Sequence, residues 1–167
     1  MNQMIKLYGL ILLISGDVLL VRYLTDRKKK SVQCLQEMIG FIGGVTYGIT
    51  EWKRTLEKAI LQEKHQGMFP GIFQEKFLEF NQTYTLRDSL QKALEELPIS
   101  RETTQILSRY FMTVGKDTKK ATEDHYRHTK NQLEEILKQL REELPKTEKL
   151  IAVGVYAISA MIAVLLL

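Results

Sequence analysis

Residues 150–167, "LIAVGVYAISAMIAVLLL", carry no charged side chain. As a helix rising about 1.5 Å per residue they would reach roughly 27 Å, close to the hydrocarbon thickness of a bilayer. At the other end, "IKLYGLILLISGDVLLVRYL" from Ile5 is also mostly apolar. These ends constrain the fold more than anything between them. They predict transmembrane helices over 1–24 and 150–167, with a helical domain over 25–149 held against the membrane at both ends. A cleaved signal peptide is the competing reading of the first segment, with Lys6 as its charged start and Leu7 to Ile14 as its apolar stretch. Ser15-Gly16-Asp17 makes a poor cleavage site and the apolar pattern resumes at Val18, so a retained anchor fits better.

Charge places the middle of the chain. Lys and Arg number 24 against 20 Asp and Glu, and Arg22, Arg27, Lys28, Lys29 and Lys30 follow the first apolar run while only Lys6 precedes it. The positive-inside rule then puts residues 25–149 in the cytoplasm, and Lys146 and Lys149 agree. The basic block has no interleaved aromatics on which bases could stack, which argues against nucleic-acid binding. A single cysteine, Cys34, excludes an intrachain disulfide. Asp17 falls inside the first predicted span, where a carboxylate costs about 2.5–3.5 kcal/mol. It is the candidate for an intramembrane polar contact, with Ser15 and Gly16 permitting close approach; protonation, or bonding within its own bundle, is the alternative.

Between the ends the pattern is helical throughout, with no period-two run bounded by turn residues. Val32, Leu35, Met38, Ile39 and Ile42 share one helical face. "GFIGGVTYGIT", residues 40–50, holds four glycines and predicts a helix end or a close-packing surface. Thr50 is the expected cap of a helix over 51–62, with Glu51 in its first turn. "QGMFPGIF", residues 66–73, reads as a break. Thr85 with Asp88 has capping-box spacing, Ser100 caps the next helix, and Gly115 ends it. A last helix over 118–144 carries Tyr126, Leu133, Ile136, Leu137, Leu140 and Leu144 as a stripe, and Pro145 is expected to bend or break it. That stripe suits a bundle or a coiled-coil seam; the bundle is favoured because the other helices are amphipathic and need partners.

Reactive constellations are few. His125 and His128 lie three apart beside Glu123 and Asp124, but a catalytic zinc needs a third ligand, His65 is remote, and a solvated helix face accounts for the pair. There is no phosphate-binding glycine loop ending in Lys-Ser/Thr, no G-x-S-x-G elbow, and no His near Cys34 in sequence. No cofactor and no enzymatic activity are expected.

Several short stretches are similar to the stage III sporulation protein AB family: "YLTDRKKK", "TYGIT", "TLRDSLQKAL", "TVGKD" and "TEKLIAVG" leading into the apolar end. The likeness runs in order along nearly the whole chain. That family in turn resembles the cytoplasmic domain of the inner-membrane platform protein of type II secretion and type IV pilus systems. The resemblance implies an antiparallel bundle of about six helices, here flanked by the two terminal spans. It also implies a non-enzymatic subunit of the channel complex joining the mother cell to the developing spore. Its expected partners are a cytosolic secretion-type ATPase and other membrane subunits of that channel, and a homo-oligomer is compatible with it. Tyr47, Gly48, Thr50 and Gly115 match the family pattern and are candidate partner-contact or turn residues. Gly44 stands where an acidic residue is usual, Glu51-Trp52 where Pro-Leu is usual, and Asp117 to Thr122 depart from the usual Asp and Gln positions; these departure sites are candidate contact surfaces. The competing reading is a membrane-anchored signalling or tethering protein dimerised through 118–144; Pro145 argues against rigid transmission along it. A membrane enzyme would need convergent polar groups in the spans, where Asp17 stands nearly alone.

Overall fold

The computed structural model describes the backbone of residues 2–64, 66–116 and 118–166, and the side chains of these residues other than 2–14, 24 and 162–166. Six helices make up its regular structure: α1 (Asn2–Thr50), α2 (Leu56–Gln62), α3 (Met68–Asn81), α4 (Leu86–Glu95), α5 (Arg101–Thr113) and α6 (Lys119–Leu166). No strand occurs among the described residues.

The all-α bundle agrees with the periodicity, but the flanking transmembrane helices do not survive. Among the described residues no helix is long and apolar enough to cross a membrane. The apolar stretches over 1–24 and 150–167 are not separate elements either: they are the ends of α1, 49 residues long, and α6, 48 residues long. Residues 1–14 and 162–167 of those stretches lie outside the residues whose side chains are described. Pro145 does not break α6, which continues through it. A proline inside a helix removes one backbone hydrogen bond at about 3 kcal/mol, and here the helix persists despite it.

The chain divides into two compact units. Unit 1 comprises residues 1–30 and 140–167, and unit 2 residues 31–139. In unit 1 the basic block of α1 meets α6: Lys28 Nζ donates to Thr147 Oγ1 at 3.2 Å, and Lys29 pairs with Glu148 at 3.1 Å. Both are surface contacts, worth under about 1 kcal/mol each. Large apolar side chains of this unit stay exposed, among them Leu19, Tyr23, Leu150, Val153 and Met161.

Unit 2 holds the core, built from residues 31–50 of α1, from α2 to α5, and from the first part of α6. Its centre is Phe73, fully buried, whose ring meets Phe41 edge-on at 5.7 Å and stacks near Phe77 at 6.2 Å and Phe111 at 5.4 Å. Each such pair adds about 0.5–1.5 kcal/mol to the burial of its area. The expected α1 face is buried at Leu35, Met38, Ile39 and Ile42, and Cys34, Phe41 and Val45 widen it. On α6 the threonines Thr122 and Thr129 are buried in line with Leu133; a stripe read from apolar residues alone passes over them.

Caps explain where the short helices start. Thr85 accepts from the Asp88 N–H, while its hydroxyl donates to the Asp88 carboxylate at 2.7 Å; Ser100 accepts from the Thr103 N–H at 3.1 Å. The cap of α2 is Thr55, accepting from the Lys58 N–H, and not Thr50, which is still helical; residues 51–55 form the turn between. The expected break at 66–73 is narrower than predicted. Pro70 and Gly71 lie in the first turn of α3, where a proline displaces no helical hydrogen bond. Gly67, the N-cap, has no side chain, and Glu37 of α1 substitutes for it: the Phe69 N–H donates to Glu37 Oε2 at 2.9 Å. A Cβ at Gly67 would sit 2.7 Å from that same oxygen, so the missing side chain makes room for the remote cap. At the other end of α2, Gln74 Nε2 donates to the Ile60 and Glu63 carbonyls, capping carbonyls at the helix terminus.

Phe73→Ala should lower unfolding free energy by about 3–5 kcal/mol in urea titrations. Glu37→Ala should lower it by about 1–2 kcal/mol through loss of the cap. Equal small losses from both would show that Phe73 is not the packing centre.

Candidate functional site

The residues singled out in unit 2 meet where α1 ends. Near that end Thr46 and Thr50 turn their hydroxyls back onto the Ile42 and Thr46 carbonyls, at 2.8 and 3.0 Å. The chain then folds into a tight turn, with the Glu51 N–H donating to the Tyr47 carbonyl and the Arg54 N–H to the Gly48 carbonyl at 3.2 Å. Lys53 adopts the left-handed backbone conformation, at φ 53°, to close it. Glycines let neighbouring helices approach α1: a Cβ at Gly43 would lie 2.9 Å from the Tyr126 hydroxyl, and one at Gly44 would collide with the Glu63 carboxylate. Both readings of "GFIGGVTYGIT" hold: α1 ends within it at Thr50, and Gly43 and Gly44 lie where neighbouring side chains pack closely.

Gly48 borders Ala59 of α2, and Thr50 is buried. Gly115, at φ +80°, turns the chain after α5, and a Cβ there would lie 3.3 Å from Ile49 Cγ2. Tyr47, Gly48, Thr50 and Gly115 therefore belong to one corner. Three of them shape it, while Tyr47 faces outward, 54 % exposed. Asp17 belongs to unit 1, where it is half-buried, and forms no ion pair with a described residue. Asp117 and His65 lie outside the described residues.

Glu51-Trp52 is one of the candidate contact surfaces of the sequence; the ring and guanidinium arrangement that the corner displays is not legible there. Trp52, 55 % exposed, meets the Tyr47 ring edge-on at 5.3 Å, and the Arg54 guanidinium lies 4.1 Å from the Trp52 ring centre. Glu51 pairs with Lys119 and raises the ammonium's pKa through that hydrogen bond. The available signal was the chain's only tryptophan, placed in a turn two residues before an arginine. Beside the corner opens a cleft of ≈ 670 Å³ bounded by Ile49, Arg54, Leu56, Arg87, Met112 and Gly115 among others.

Cys34 is buried, and burial, followed by the neighbouring Glu37 carboxylate, pushes its thiol up to about 12. Burial likewise raises Tyr110, against the lowering effect of its hydrogen bond with Thr46. His125 packs over the Tyr110 ring and touches the Thr113 hydroxyl, while His128 is exposed. No group of three His, Cys, Asp or Glu side chains placed to hold a metal occurs among the described residues.

A model of the stage III sporulation protein AB family matches residues 6–167, which takes in all of unit 2 and its corner. The chain belongs to that family. Its role is therefore in sporulation. It matched no curated protein and no solved structure.

Gly115→Ala should cost about 1–2 kcal/mol, because it forces a Cβ into the left-handed region against Ile49. Lys53→Gly should instead raise the urea midpoint, relieving the same strain at a net gain of about 0.5 kcal/mol. The Cys34 thiol ionises near 9.0 in the unfolded chain and near 12 in the folded one. Its contribution to stability is thus complete below pH 9 and is lost as pH rises between those values, at about 1.4 kcal/mol per unit. Cys34→Ala should flatten the alkaline fall in stability above about pH 9; an unchanged slope would show that the thiol is not held protonated.

Proposed function

We propose that this family member is a non-enzymatic assembly subunit at the forespore, where unit 2 is the platform for a cytosolic secretion-type ATPase. The observation that carries the reading is the exposed Tyr47–Trp52–Arg54 corner. Trp, Tyr and Arg are the residues on which protein–protein binding energy concentrates, and here they stand on a turn stiffened by Gly48 and Thr50. ATP chemistry belongs to the partner. The exposed apolar side chains of unit 1 are what the membrane and other subunits of the channel would cover. Burial of Thr122, Thr129, Leu133 and Leu137 uses up the α6 face that a coiled-coil tether would need.

The test is binding of the full chain to the secretion-type ATPase of the same organism, followed by fluorescence anisotropy. Binding is expected, with Trp52→Ala weakening it about tenfold or more and leaving the melting temperature unchanged. Absence of binding, or ATP hydrolysis by the chain alone, would sink the platform reading.

A further inference from the structure

The cleft beside the corner continues into a second one. The first, ≈ 670 Å³, is lined in part by Arg54, Arg87 and Lys116; the second, ≈ 600 Å³, lies between α4 and α5 and is lined in part by Arg87 and Arg109. Arg87 and Met112 line both, so the two form one run along this face of unit 2. Among the described residues no acidic side chain lines either cavity. Arg87, Arg109 and Lys116 make no ion pair with a described residue, and Arg54 is engaged by the Trp52 ring. A run of like charges around a concave surface focuses positive potential into it and favours an anionic occupant.

The walls between those charges are apolar. Ile49, Leu56 and Met112 are half-exposed and Leu86 is 42 % exposed, above the buried Leu90 and Val114. A point-like phosphate would leave these side chains in water, and nucleic acid would find along the walls only Phe111 as an aromatic lining residue, and that ring is buried. A helix with an apolar stripe flanked by Asp and Glu satisfies both features. We infer that the run from Arg54 and Lys116 through Arg87 to Arg109 docks an acidic amphipathic helix of a protein partner. The inference deepens the platform reading and rests on it: the partner would be the ATPase, with Trp52 anchoring one end.

The experiment measures Kd of the full chain for the same ATPase across a salt series. It compares wild type with Arg87→Glu/Arg109→Glu, the conservative Arg87→Lys/Arg109→Lys, and the distant Lys138→Glu on α6. Arg87 and Arg109 are exposed, and a carboxylate at position 87 sits in the first turn of α4, where the helix dipole favours it, so folding should survive the reversal. The double reversal should raise Kd at least 30-fold and flatten its salt dependence, while the lysine pair and Lys138→Glu change it less than about threefold. Wild-type affinity in the double reversal would overturn the inference and leave the platform reading standing. No binding by wild type would remove both. Equal weakening by Lys138→Glu would reduce the effect to general charge and overturn the inference. So would a reversal that abolished sedimentation with phosphatidylglycerol vesicles but left ATPase binding intact, because the run would then face a lipid surface.

Discussion

The Tyr110 hydroxyl ties α5 to α1 inside the core. It lies 3.0 Å from the Ile42 carbonyl and 2.7 Å from the Thr46 hydroxyl, itself 2.8 Å from the same carbonyl. One hydroxyl donates to the carbonyl and the other to its neighbour, so no polar atom of the three is stranded in the dark of the core. A satisfied buried network of this kind fixes register, since a shift of α5 along α1 would leave a desolvated hydroxyl at about 1–3 kcal/mol. With α5 registered, its end at Gly115 falls against Ile49, next to the turn that presents Trp52. The corner's geometry is thus inherited from a contact several residues inside the protein.

Most helix boundaries in unit 2 were legible because their causes are local. Thr85, Ser100 and Gly115 act on backbone groups within three or four residues, and each does what its sequence context implies. The failures came where the cause lies far along the chain. Gly67 signalled a break, but nothing nearby indicates that Glu37, thirty residues earlier, caps the helix that starts there. Thr50 had the residue type of a cap, yet its hydroxyl is spent on the Thr46 carbonyl and Thr55 takes the role. Tyr110 recurs with Leu107, Phe111 and Val114 at helical spacing, which shows a buried face but not the hydroxyl partner that Thr46 supplies on α1.

At the ends of the chain, composition misled in a different way. Hydropathy over 1–24 and 150–167 suggested separate elements bounded by the basic block and by Pro145. In the structure, helix continues across both boundaries, and the basic block contributes Lys28 and Lys29 to contacts with Thr147 and Glu148. A charge cluster read as a topology signal therefore has a structural use within unit 1. Asp17 is the residue whose reading changes most: the argument for an intramembrane contact required a span around it, and no helix among the described residues supplies one.

Trp52 stands at a departure from the family pattern, a candidate contact surface in sequence, and its exposed ring makes it the best-placed anchor on unit 2. A proline at position 51 would have no N–H to donate to the Tyr47 carbonyl, a bond that Glu51 makes at 2.9 Å, and no carboxylate for Lys119. The acidic residue thus closes the turn and ties it to the start of α6, while the tryptophan that follows gains the Arg54 guanidinium across its face. The stacking holds Arg54 beside the cleft without neutralising it, which a carboxylate partner would have done. The two departures act together: one braces the turn, and the other orients a charge toward the surface where Arg87 and Lys116 already lie.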